Sequence, residues 1–276
     1  ASRRACPGGD NPAARQDPLM LPLVDLHCHL LAGLDDGPRT PDDALEMCRI
    51  AYAEGTRLVA ALAHQNERWS AVTPDVIRAA VAGLKASLEA AGVALTAFPT
   101  AEVTAHPELE ALWDQGRLLS VADRGAHLLV EMPHGLFVDL RPTARALGRR
   151  GVRIILAHPE RHPELLHDPG AIEGLIREGC LVQVSSASVT EPASAADARA
   201  LRGWFRRGCA HLIGSDGHSP RKRRPLLADA YRQVRAWAGA AVADRVCGAN
   251  GVAVLNGRTP WLPEPEPPRR WLPRFW

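Results

Sequence analysis

Two histidines separated by one residue, His27-Cys28-His29, stand at the end of a short apolar run over 23–26. Side chains alternate along a strand, so both imidazoles point to the same side. Two neutral imidazoles on one face can share a divalent ion, although an H-x-H alone is as readily a pair of ordinary buried histidines. The pattern then recurs. The run 58–63 ends at His64, 97–99 leads on to Glu102, 128–130 ends at Glu131, 154–157 ends at His158, and 212–214 ends in Ser215-Asp216-Gly217-His218. Any one of these could simply cap a strand. As a set, apolar runs that keep ending in His, Glu or Asp would bury polar groups at high cost unless something neutralised them together. Clustered divalent ions do so, and the mixture of imidazole and carboxylate suits Zn, Mn or Fe better than a purely oxygen site. Asp35-Asp36-Gly37 follows the first run and reads on its own as a turn. Beside the H-x-H, Asp36 is favoured as a further ligand, with Asp35 in a supporting role.

The residues that must position this set alternate regularly. Apolar runs predict strands over 23–26, 57–63, 94–100, 126–130, 152–157, 181–184 and 211–214. Stretches with helical spacing predict helices over 41–54, 73–91, 107–115, 141–150, 171–178, 192–207 and 225–240. The first helix is well punctuated: Thr40 as N-cap, Pro41 at the first helical position, then Asp42 and Asp43 against the positive end of the dipole. Gly55, Gly92, Gly151 and Gly179 stand where a left-handed residue should end a helix. Seven strands alternating with helices indicate a parallel sheet. Ligand-competent residues at the C-terminal ends of six of them favour a closed α/β barrel, in which those ends converge on the active site.

The totals fit one soluble α/β domain. Of 276 residues, 46% are hydrophobic and 23% charged. A formal net charge of +2 gives no footprint for nucleic acid. No apolar run approaches membrane-spanning length and the N-terminus lacks a signal-peptide stretch, so no stable membrane insertion and a cytoplasmic address are expected. The six cysteines, Cys6, Cys28, Cys48, Cys180, Cys209 and Cys247, contain no CxxC pair and read as reduced thiols. None has an arginine six positions later, so the phosphate-binding loop of cysteine-dependent tyrosine phosphatases is absent. Residues 1–20 read as a disordered arm, or a leader upstream of a natural start at Met20. Residues 21–259 read as the folded domain, and 260–276 as a Pro/Trp/Arg-rich tail outside its core.

The segments 27–37, Ala101-Glu102, Leu129-Val130-Glu131, Ala157-His158-Pro159-Glu160-Arg161 and Ser215-Asp216-Gly217-His218 resemble the polymerase-and-histidinol-phosphatase (PHP) superfamily. Within it they are similar to the bacterial capsule-type (CpsB/CapC-like) protein-tyrosine phosphatases. The resemblance runs from about Leu23 to Asn256, including a closing helix near 250–256. It implies a distorted seven-stranded (β/α) barrel, one domain, holding three divalent ions, often manganese. It implies nine ligands: His27, His29, Asp36, His64, Glu102, Glu131, His158, Asp216 and His218, all of them ligand-competent here. Ala32 stands where the family often has proline. His134 has no assigned role.

Clustered ions acidify water and clamp phosphoryl oxygens, so no protein nucleophile is needed. Arg161, three positions after His158, should reach the same rim and hold phosphate through its planar fork. The resemblance implies a second phosphate-contacting arginine within Arg221-Lys222-Arg223-Arg224. Arg223 is chosen by spacing, with Arg224 almost as good. The implied activity is hydrolysis of phosphotyrosine on protein, with a bacterial tyrosine autokinase of polysaccharide export as partner. A small-molecule phosphatase of the histidinol-phosphate kind and a non-catalytic scaffold are the alternatives. Homo-oligomerisation is left open.

Overall fold

The computed structural model describes residues 22–262. Seven strands form one parallel sheet in chain order: β1 (Leu23–His29), β2 (Thr56–Gln65), β3 (Thr96–Thr104), β4 (His127–Glu131), β5 (Arg153–Ala157), β6 (Leu181–Ser185) and β7 (Leu212–Gly214). All seven predicted strands are present. β1 and β3 run on past 26 and 100, so His27, His29 and Glu102 lie within the strands themselves. The ring closes between first and last strands. His29 N donates to Gly217 O at 2.9 Å and Asp216 N donates to His27 O at 2.7 Å, and Cys28 bridges Gly217 in parallel. The chain is thus a seven-stranded α/β barrel.

The helices are α1 (Pro41–Ala53), α2 (Pro74–Ala90), α3 (Leu109–Asp114), α4 (Arg141–Gly148), α5 (Pro163–Leu166), α6 (Pro169–Arg177), α7 (Ser186–Thr190), α8 (Ala195–Arg207), α9 (Ala228–Ala238), α10 (Ala240–Asp244) and α11 (Asn250–Leu255). The seven predicted helices correspond to α1–α4, α6, α8 and α9. The single-turn pieces α5, α7 and α10 are too short to carry a readable apolar period. Thr40 caps α1 by accepting from Asp43 N at 3.2 Å, and α1 buries Ala44, Met47, Cys48 and Ala51 against the strands.

Two apolar layers follow from strand alternation. Val24, Leu26, Ala60, Leu62, Leu129 and Ile155 fill the barrel interior with Val254 and Leu255 of α11, whereas Leu23, Cys28, Val59 and Ala61 pack outward among the helices. Strict alternation along β1 would put Cys28 inside with Val24 and Leu26, and turn both histidines outward. A bulge prevents this. Asp25 pairs with Val59 and Cys28 with Ala61, so three steps along β1 match two along β2. The extra residue inverts the parity, and His27 and His29 face the interior.

Packing continues past Thr259. Pro260 is buried, Leu262 rests on the interior cluster, and the Arg245 guanidinium stacks over the Trp261 ring at 4.1 Å. The expected arm over 1–20, and the part of the expected tail over 263–276, lie outside the described residues.

Candidate metal centre

The C-terminal mouth of the barrel gathers all nine expected ligands. Their donor atoms fall into four groups, each spanning no more than 4.8 Å: His29, Asp36, His64 and His218; His27, His29 and Asp216; His27, Glu102 and His158; His64, Glu102 and Glu131. The floor is buried. His27 Nε2 and His29 Nε2 lie 3.4 Å apart, and Glu102 Oε2 lies 3.2 Å from each. Glu102 Oε1 meets His158 Nε2 at 3.0 Å. The rim is open, with Asp36 44% exposed, Glu131 19% and His64 14%. His64 Nε2 and His218 Nε2 lie 3.5 Å and 3.4 Å from Asp36 Oδ1.

Local structure fixes each ring. His27 Nδ1 bonds Gln183 Oε1 at 2.8 Å and His29 Nδ1 bonds Asp35 Oδ2 at 2.7 Å. Both oxygens only accept, so both rings carry a proton on Nδ1 and, when neutral, turn an Nε2 lone pair inward. His218 Nδ1 likewise donates to the Asp216 carbonyl at 2.9 Å. Asp35 fills the supporting role expected of it and more, since its carboxylate also accepts from Gly37 N and His64 N, both at 2.9 Å. At the strand ends, His158 and Asp216 adopt left-handed backbone with φ of 35° and 53°. Such conformations in non-glycine residues cluster where structure must aim a functional side chain.

Close approach makes one glycine essential. A Cβ on Gly214 of β7 would stand 2.4 Å from His27 Cβ. The Gly214→Ala substitution is therefore expected to displace His27, costing about 1–3 kcal/mol through overpacking and lowering metal affinity. Thermal unfolding and metal content of the purified variant check this.

The electrostatics are those of protons and cations competing for one set of lone pairs. Burial disfavours the His29 cation, yet hydrogen bonds to Asp35 and Glu102 outweigh burial and raise its pKa to about 10. Burial would raise Glu102, but His27, His158 and His29 hold it well below the carboxylate range. The hydrogen bond with His218 lowers Asp36, with burial opposing. Two Nε2 atoms 3.4 Å apart can share only one proton, whereas a cation takes both lone pairs and the Glu102 carboxylate together. His64 Nδ1 is buried without a hydrogen-bond partner, 3.3 Å from Glu102 and 3.4 Å from Glu131. The donor set fits divalent metal.

Two arginines border the cluster. Arg161 Nη2 and Arg223 Nη2 both donate to Asp216 Oδ2. Arg223, the residue chosen by spacing, makes this contact, whereas Arg224 only lines the adjoining groove, which Arg223 also borders. Four supporting residues were not anticipated. Besides Gln183, Asp25 Oδ1 accepts from His27 N at 3.1 Å and Ser215 N at 2.9 Å, tying the bulge of β1 to β7. Thr104 Oγ1 donates to Glu131 Oε1 at 2.8 Å, and Glu160 accepts from Ser185 N at 2.9 Å. Gln183 had a readable signal, a polar residue amid the apolar run of β6.

The family model described as capsular polysaccharide synthesis, CpsB/CapC, matches residues 23–256. The chain belongs to the CpsB/CapC family. It is 26% identical over 260 residues to the tyrosine-protein phosphatase YwqE of Bacillus subtilis (strain 168), covering 90% of this chain and 97% of YwqE. It is 20% identical over 239 residues to the tyrosine-protein phosphatase CpsB of Streptococcus agalactiae serotype III (strain NEM316), covering 85% of this chain and 98% of that one. Its fold matches a crystal structure from the work on Bacillus subtilis YwqE and Streptococcus pneumoniae CpsB, described there as unique metal-dependent tyrosine phosphatases. The TM-score is 0.81 at 26% identity, over 88% of this chain and 98% of that chain. CpsB/CapC membership accounts for the barrel and for the close agreement in length with these relatives.

Proposed function

We propose that this CpsB/CapC protein is a metal-dependent protein-tyrosine phosphatase. The observation that carries the reading is the convergence of His27 Nε2, His29 Nε2 and Glu102 Oε2 at the barrel mouth, in a chain related to metal-dependent tyrosine phosphatases. The nine residues from His27 to His218 supply enough donors for the three ions, often manganese, that the resemblance implies, and the imidazole–carboxylate mixture suits zinc or iron as well. When bound, such ions supply an activated water and neutralise charge on the phosphoryl group.

The chain's own residues do the rest. Gln183 and Asp35 hold the floor imidazoles in the tautomer that presents Nε2 inward. Asp216 accepts from both guanidinium groups, which places Arg161 and Arg223 at the edge of the ligand cluster. From there their planar forks would hold phosphoryl oxygens of a substrate seated at the cluster. None of the five described thiols is placed to compete as nucleophile, because all are buried and burial pushes Cys48 and Cys180 up to about 12.

The open rim suits a phosphorylated side chain projecting from a polypeptide. No helix among the described residues is long and apolar enough to cross a membrane. The proposed partner is a tyrosine autokinase of capsule or exopolysaccharide synthesis, met in the cytoplasm. Phosphotyrosine peptides are expected to exceed histidinol phosphate in kcat/KM by about tenfold or more, worth ~1.4 kcal/mol of transition-state binding. Phosphoserine peptides should be poorer because the shorter side chain reaches less far. A preference for histidinol phosphate in the same steady-state assay would replace this reading with a small-molecule phosphatase.

A further inference from the structure

A groove of about 720 Å³ opens beside the metal centre, sharing Arg161, Asp216 and Arg223 with it. It continues away from the ions between the short helix α7, the loop over 219–227 and the exposed face of α9. Its far part carries Lys222, Arg224 and Arg232, all exposed. Lys222 and Arg224 have no ion-pair partner among the described residues. Arg232 pairs only with Asp229, three residues back on α9, and that pair is about two-thirds exposed on both sides (66% and 70%). An exposed pair of this kind is weak and readily exchanged for another partner. The opposing acids are Asp229 and Glu191, so the far part is cationic in balance. The near part carries Arg161 and Arg223 against Asp216.

We propose that this groove is a subsite for acidic residues flanking the phosphotyrosine, an inference that rests on the tyrosine-phosphatase reading. A phosphotyrosyl side chain seated at the ions leaves its neighbouring residues at the mouth, where this groove begins. Its volume exceeds the needs of a phosphoryl group and suits the side chains of the next few residues. Aspartate or glutamate there meets Lys222, Arg224 and Arg232, whereas lysine meets like charge, and the discrimination comes from repulsion as much as attraction. The remaining lining, including Ser186, Thr190 and Gln233, offers hydroxyls and an amide that accept many sequences. Charge therefore selects here more than shape does.

Three phosphotyrosine peptides, identical except for aspartate, alanine or lysine flanks, test the subsite on the metal-loaded full chain beside free phosphotyrosine. The aspartate peptide is expected to exceed the alanine peptide in kcat/KM by about fivefold, and alanine to exceed lysine similarly, with both gaps narrowing at high salt. The double variant Lys222→Glu with Arg232→Glu should erase or invert the order while free phosphotyrosine turnover and metal content stay unchanged. Equal rates for the three peptides, or an order that survives in the double variant, overturns the inference alone. Failure to turn over free phosphotyrosine overturns the phosphatase reading and this inference with it.

Discussion

Glu102→Ala is expected to lower phosphotyrosine turnover more than about 1000-fold, the scale of losing several kcal/mol of metal-based stabilisation. The carboxylate is 1% exposed and lies 3.0–3.3 Å from four imidazoles: His27, His29, His64 and His158. It meets more imidazoles at 3.3 Å or less than any other carboxylate of the cluster. Its removal takes away the carboxylate that these four imidazoles share, so bound metal should fall with activity. Glu102→Gln separates loss of charge from loss of shape. The amide keeps the volume, yet its NH2 faces lone pairs, so the variant should fold and still bind metal poorly. Metal content by mass spectrometry, with circular dichroism as the folding control, reads both variants. A fully loaded, fully active Glu102→Gln protein would show that the floor of the centre is assigned wrongly.

Arg161→Ala should behave differently, losing about 100-fold in kcat/KM, the usual loss on removing one preorganised donor to developing charge. Its guanidinium reaches Asp216 Oδ2 from a side chain 41% exposed, at the border between the ligand cluster and solvent. Metal should be retained because a guanidinium donates and cannot ligate. Arg161→Lys should recover only part of the loss, since an ammonium cannot reproduce the planar fork. Arg223 donates to the same oxygen from the other side, so the double variant is expected to depart from additivity. Metal loss in Arg161→Ala would instead make it a support for Asp216.

Much of the barrel and the list of residues at its mouth were legible in the sequence, for a physical reason. The strands are largely buried apolar runs, and six of the seven lead at the mouth to a His, Glu or Asp that such a run would not otherwise tolerate. The punctuation was equally plain at Thr40, and at Gly55, Gly92, Gly151 and Gly179, whose φ values of 98°, 64°, 77° and 91° are those of left-handed caps. The bulge in β1 was not legible. Alternation correctly put His27 and His29 on one side, but which side depends on one unpaired residue whose register is set by β2. The roles of Asp25 and Gln183 are hidden in the sequence for a related reason. Their partners lie 190 and 156 residues away along the chain, and only closure of the barrel brings β6 and β7 against β1. The choice of Arg223 over Arg224 as the residue touching Asp216 likewise depends on a loop conformation that spacing leaves open.

Ions held by the residues from His27 to His218, rather than a thiol, are expected to carry the proposed reaction. Turnover of a phosphotyrosine peptide by one preparation, measured after exhaustive chelation, after refilling with manganese and after treatment with iodoacetamide, tests it most directly. Activity should vanish on chelation and return with manganese. Alkylation should leave it intact, because Cys28, Cys48, Cys180, Cys209 and Cys247 are all buried. Activity that survives chelation and is destroyed by iodoacetamide would contradict the metal mechanism outright.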